Sequence, residues 1–208
     1  MVGPGRAAAL FREAAADMTE LARLAAELGD FCQRRGWRFC LIGGLAVQHW
    51  GEPRMTMDVD LSLLTGFGGE ESVIDEWLCH YVGRLPDTKV FALKNRVLLL
   101  RHASGVGIDI ALGAVPFEER LVERAAVVEM EPGCPVRLCT AEDLIVMKAF
   151  ADRPIDWQDV RGVVVRQGVG RLNWEQIRGE LKPLCAAKEQ PEIFAKLDAL
   201  KREVEGAC

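Results

Sequence analysis

No two cysteines of this 208-residue chain are spaced as Cys-x-x-Cys, and their number is odd: Cys32, Cys40, Cys79, Cys134, Cys139, Cys185 and Cys208. The lack of a paired spacing predicts reduced thiols filling the core of a cytoplasmic protein rather than a disulfide framework. Histidine is scarce. His49, His80 and His102 show no ligand spacing relative to the cysteines, which argues against a zinc site. No uncharged apolar run approaches the length of a membrane span, so no membrane association is expected. Arg6, Arg12 and Glu13 interrupt what would have to be the apolar core of a signal peptide, so no targeting segment is expected. Net positive charge is missing as well. A formal charge of -5 argues against non-specific nucleic-acid binding over the whole surface, while leaving room for a local basic groove. The chain has no internal repeat and no low-complexity tract.

What is present is an ordinary globular composition, 50% hydrophobic and 27% charged, long enough for one good core or for a core with a helical appendage. Apolar residues at helical spacing predict one long helix or two short ones over 7–35, ended by Gly36. A short apolar strand follows at 37–42, then a two-turn helix at 44–50 stopped by Gly51 and Pro53. Alternation predicts a strand at 57–64, and a helix is expected at 70–82. Strand-like pieces at 90–93, 96–102 and 106–112 suggest an antiparallel meander. A short helix at 116–123 and strands at 125–130 and 136–139 complete this part. Thr140 and Asp143 resemble a capping box. Beyond them the chain reads as helix throughout, at 142–152, 157–167, 173–184 and 192–204. The expected class is therefore α+β: a helical segment (1–36), a mixed core (37–139) and a helical region (140–208). Trp157 and Trp174 read as packing anchors.

The chemistry concentrates in two places. Asp58 and Asp60 stand two apart on a strand and so share one face, where two carboxylates repel unless a cation lies between them. Asp109 lies mid-strand between Ile108 and Ile110, which face the core and turn the acid the other way. If the two strands are neighbours, three carboxylates converge, enough to hold two Mg²⁺ ions about 3.5–4 Å apart for in-line phosphoryl transfer. The Gly43-Gly44 turn opens a helix and offers backbone donors to phosphate oxygens. Arg54 and Thr56, just ahead of the acids, could touch phosphates too. Structural roles compete with each of these readings. Asp109 would alternatively suit an ion pair with Arg96 or Arg101. Lys148 would suit a snorkelling position at the core's edge, Arg54 a solvated loop, and Thr56 the start of a strand.

The pattern Gly43-Gly44-x-Ala46-Val47-x5-Pro53-Arg54-x-Thr56-x-Asp58-x-Asp60-Leu61, followed by the strand residue Asp109, resembles the polymerase-β-like nucleotidyltransferase superfamily. The Pro53-to-Thr56 insert and the double glycine look most like the AbiEii-type branch, which includes type IV toxin–antitoxin toxins. The segment from Glu142 to Val160 is similar as well, and the resemblance spans roughly 39–163. It implies a nucleotidyltransferase fold, with Asp58, Asp60 and Asp109 as catalytic metal ligands. It also implies that Gly43 and Gly44 bind phosphate, that Lys148 contacts the triphosphate, and that Arg153, Asp156 and Asp159 form the run that follows. Many members carry serine after the first glycine; here that residue is Gly44, and backbone donors would replace its contact.

The expected function is Mg²⁺-dependent transfer of an NMP from an NTP to RNA, protein or a small molecule, with pyrophosphate released. A role in a toxin–antitoxin pair, with a cognate toxin or antitoxin as partner, goes with it. A binding module that keeps the fold without turnover is the alternative. A phosphohydrolase is disfavoured because no histidine or further carboxylate cluster completes its site.

Overall fold

The computed structural model describes residues 4–207, with side chains from 19 to 206. Cys208 and the side chains of Arg6, Arg12 and Glu13 lie outside the described residues. Two compact units divide the chain: Met1–Leu45 with Met55–Leu138, and Ala46–Arg54 with Cys139–Cys208.

The first unit opens with one long helix, α1 (Pro4–Arg34). Its Leu21, Leu24, Leu28 and Phe31 are buried, a spacing of three and four that forms one apolar stripe. The stripe packs on a mixed seven-stranded sheet with the order β3-β4-β5-β2-β1-β7-β6. In chain order the strands are β1 (Phe39–Leu41), β2 (Asp58–Leu64), β3 (Val82–Gly83), β4 (Val97–Arg101), β5 (Gly107–Gly113), β6 (Ala126–Glu131) and β7 (Cys134–Leu138). Helices α3 (Glu70–Leu78), α4 (Thr88–Asn95) and α5 (Pro116–Arg124) belong to the same unit. Strands β4 and β5 form an antiparallel hairpin as the turn residues suggest, but β5 lies parallel to β2. Phe31 stacks on Trp77 with ring centroids 4.4 Å apart, which ties α1 to α3.

One predicted strand is a helix. Residues 90–93 lie inside α4, where Thr88 and Ala92, four apart, are buried while Val90 and Leu93 are exposed. The short apolar run fitted both periods, and packing on one face selected the helical one. The helix expected over 70–82 stops at Leu78, and Val82–Gly83 adds a short edge strand instead.

The helix α2 (Gly43–Trp50) begins in the first unit and ends in the second. The second unit otherwise holds α6 (Ala141–Ala151), α7 (Pro154–Gln167), a 3-10 turn (Val169–Arg171), α8 (Trp174–Lys188) and α9 (Glu192–Ala207). Thr140 caps α6 by accepting from the Asp143 amide at 3.2 Å. Its hydroxyl also donates to the Asp143 carboxylate at 2.8 Å, so the expected box closes through side chains. Trp157 and Trp174 anchor their helices with indole hydrogen bonds to Asp152 and to the Val169 carbonyl. The six described cysteines form no disulfide, and five of them are buried. Burial pushes the Cys32 thiol up to about 12, against the pull of Arg35, so it stays protonated. Among the described residues no helix is long and apolar enough to cross a membrane.

Candidate active site

The parallel register of β2 and β5 pairs Asp58 with Gly107 and Asp60 with Asp109. Side chains alternate across a strand, so Asp58, Asp60 and Asp109 emerge on one face of the sheet. Val59, Leu61, Ile108 and Ile110 are fully buried on the other. The hydrophobic face sets this register: a slip of one residue would bury the acids and expose the isoleucines.

The glycine turn is built against the same acids. The Gly44 amide donates to Asp60 Oδ2 at 3.2 Å, and the Ile42 amide to the Asp60 carbonyl at 3.0 Å. Gly43 has φ +62, and a β-carbon there would fall 2.7 Å from Asp60 Cβ. A β-carbon on Gly44 would meet Thr56 Cβ at 2.6 Å and lie closer still to its hydroxyl. The Thr56 side chain thus occupies the space that a residue-44 side chain would need. Its hydroxyl also donates to the Asp58 carbonyl at 3.4 Å.

Two further residues take part in the site. Arg84 leaves the end of β3, its amide bonded to the Leu99 carbonyl at 3.0 Å. Its guanidinium ion-pairs with Asp109 through Nη2 and stands 3.6 Å from Asp58 Oδ1 through Nη1. The structural alternative for Asp109 was an ion pair with Arg96 or Arg101. Arg96 instead pairs with Glu70. Burial pushes the Asp109 carboxyl above the usual carboxylate range; Arg84 opposes the rise and the Asp58 charge adds to it. Gly107 is the second. A β-carbon there would lie 2.9 Å from Asp58 Cγ and 3.0 Å from Arg84 Nη1. A glycine within a strand two residues before an acid is a legible sign of such an approach. Nothing in the spacing of Arg84 marks it.

Carboxylate oxygens are the donors that Mg²⁺ prefers, and the open flank at Gly107 gives Asp58 room to serve as one. Among the described residues no three His, Cys, Asp or Glu side chains gather around a common metal position. The contacts of these carboxylates run to Arg84 and to the Gly44 amide instead. The donor chemistry fits a divalent ion, and a cation already bridges two of the three acids.

The remaining residues singled out in the sequence lie in the second unit. Lys148 is buried, with Nζ 3.1 Å from Asp156 Oδ1 and 2.8 Å from Asp159 Oδ2. Arg54 forks onto Asp159, with Nε and Nη2 at 2.7 and 2.9 Å. Arg153 forks onto Asp156 at 2.5 and 3.0 Å. Burial alone would raise both carboxyls. Hydrogen bonds and charge outweigh it, from Arg153 and Lys148 at Asp156 and from Arg54 and Lys148 at Asp159, holding both below the usual range. The solvated-loop alternative for Arg54 does not describe this arrangement, and neither does a snorkelling Lys148.

No protein-family profile matches the chain, and no curated protein matches it by sequence. Solved structures resemble it in fold. The antigenic nucleotidyltransferase-like protein from Paracoccidioides brasiliensis superposes with a TM-score of 0.51 at 16% identity, over 87% of this chain and 93% of that one. The antibiotic-resistance factor ANT(2'')-Ia superposes with a TM-score of 0.47 at 16% identity, over 90% and 99% of the two chains. With its mixed sheet, its helices and the first of these superpositions, the chain has an α+β nucleotidyltransferase fold.

Proposed function

We propose that this protein transfers an NMP from an NTP to a hydroxyl or phosphate on an acceptor and releases pyrophosphate. The observation that carries the reading is the single face of β2 and β5 on which Asp58, Asp60 and Asp109 stand together. Buried or half-buried acids that are costly to keep mark sites where charge is used. Divalent Mg²⁺ held by these three residues would supply charge for the triphosphate and a lowered pKa for the attacking hydroxyl.

The chain's own residues do the rest. The Gly44 amide orients Asp60, and the bare Gly43 and Gly107 let the carboxylates approach without obstruction. The Thr56 side chain fills the space that a side chain at Gly44 would need, and its hydroxyl would join backbone donors in replacing the serine contact. The start of α2 suits phosphate oxygens, because a helix start concentrates positive partial charge. Arg54 and Lys148, which share Asp159, would turn donors toward the triphosphate when it binds. Arg153 and Asp156 hold Lys148 in place until then.

The acceptor class is RNA, protein or a small molecule, and the AbiEii-like pattern of 43–61 supports a toxin–antitoxin role with a cognate partner. A specific observation favours one other reading: Arg84 neutralises two of the acids, as it would in a fold kept for binding alone. One experiment separates them. The pure protein is incubated with each α-³²P-labelled NTP, Mg²⁺ and a total cell extract, and labelled RNA, protein and small molecules are resolved. Label that enters one class and is lost in Asp58→Ala and Asp109→Ala supports transfer. Label retained in both variants refutes the assignment of these acids.

A further inference from the structure

We propose that Arg84 is the resident counter-cation of the acidic site and competes with divalent metal for Asp58 and Asp109. The inference rests on the reading of these acids as a metal site, and adds a residue that tunes it. Three observations converge. The guanidinium bridges Asp58 and Asp109, two of the three carboxylates that would hold a divalent ion. The seat fits it imperfectly: Nε is buried and has no hydrogen-bond partner, and Nη1 remains 3.6 Å from Asp58. A guanidinium with a permanent structural role would satisfy its donors more fully.

The third observation is the anchor. Arg84 follows a two-residue strand at the edge of the sheet and is held there by one backbone bond to Leu99. Its side chain is 22% exposed, so it can withdraw toward solvent by rotation about its own bonds, without unpairing β2 or β5. Two carboxylates on one face require a cation whether or not metal is present. Arg84 supplies it in the metal-free protein and yields it when metal enters. Apparent metal affinity is then the intrinsic affinity multiplied by the fraction of time the arginine is out of the site.

The test is Mn²⁺ binding to the full chain, read by the electron-paramagnetic-resonance signal of free Mn²⁺, in wild type, Arg84→Gln and Arg84→Lys. Arg101→Gln serves as the charge control, since Arg101 pairs with Gly107 on the neighbouring strand and is exposed. Competition predicts affinity in the order Gln, Lys, wild type. Arg84→Gln is expected to bind about tenfold more tightly than wild type, as for a site blocked nine-tenths of the time. Arg84→Lys keeps one cation but loses the fork, and falls between them; it carries the test should the glutamine variant not fold. Asp109→Asn added to Arg84→Gln is expected to remove the gained affinity. Equal affinity in wild type and both Arg84 variants, or an equal gain in Arg101→Gln, overturns the competition while the metal site stands. Absence of Mn²⁺ binding in every protein overturns both.

Discussion

Replacing Gly107 by alanine adds one methyl group to a strand and tests whether Asp58 acts where the structure puts it. The new carbon would lie 2.9 Å from Asp58 Cγ, and the nearest carboxylate oxygen is closer still. Carbon atoms in contact rest about 3.5–4.0 Å apart, so the carboxylate must retreat by something on the order of 1 Å. The fold should tolerate this. Asp58 is 41% exposed and can swing outward, and alanine loses less chain entropy than glycine on folding. A displacement of about 1 Å at a reacting group can cost about 100-fold in rate, or about 2.7 kcal/mol of transition-state stabilisation. The expected result is that loss in NMP transfer, measured with the labelled NTP and the extract fraction the wild type modifies. The thermal midpoint should be unchanged or slightly raised. A folded Gly107→Ala protein with full transfer would show that the Asp58 carboxylate is not needed at this position.

Lys148→Met leaves Asp156 and Asp159 buried against Arg153 and Arg54 alone. Breaking such a pair costs about 3 kcal/mol, to be read as a lower urea midpoint at unchanged slope. The same two carboxyls set an acid limit. Their folded pKa values lie below the unfolded value of about 3.9, so their stabilisation is fully present above it and is lost as pH falls through the folded values. Urea titrations from pH 6 downward should show stability declining below about pH 4, and the decline should be shallower in the Asp156→Asn, Asp159→Asn double variant. Thr140→Ala removes the cap of α6 and should cost about 1 kcal/mol in the same assay.

Much of the architecture was legible because periodicity is local. The stripe of α1, the alternation of β2 and β5 and the cap at Thr140 each express the geometry of their own element. The strand forecast at 90–93 failed for the same reason: a short apolar run satisfies two periods, and only the burial of Thr88 and Ala92 chose between them. Asp58 and Asp60 were readable as a pair, since i and i+2 on a strand must share a face. Their meeting with Asp109 was conditional on two strands being neighbours. Arg84 was not readable at all. It lies 25 residues before Asp109 in the chain and on the far side of β4, and no spacing rule connects them.

The sequence by itself determined which side each acid faces, because core isoleucines and valines leave a strand no freedom in the matter. It also determined that Gly43-Gly44 would make a turn, and that the last third of the chain would be helical. Tertiary structure alone decided that β5 lies parallel beside β2, which brings Asp109 level with Asp60. It alone seated Arg84 on Asp58 and Asp109, and gathered Arg54, Lys148 and Arg153 onto Asp156 and Asp159. Charge pairing is blind to distance along the chain. It is settled by which elements pack together and which buried carboxylates are then left needing a cation.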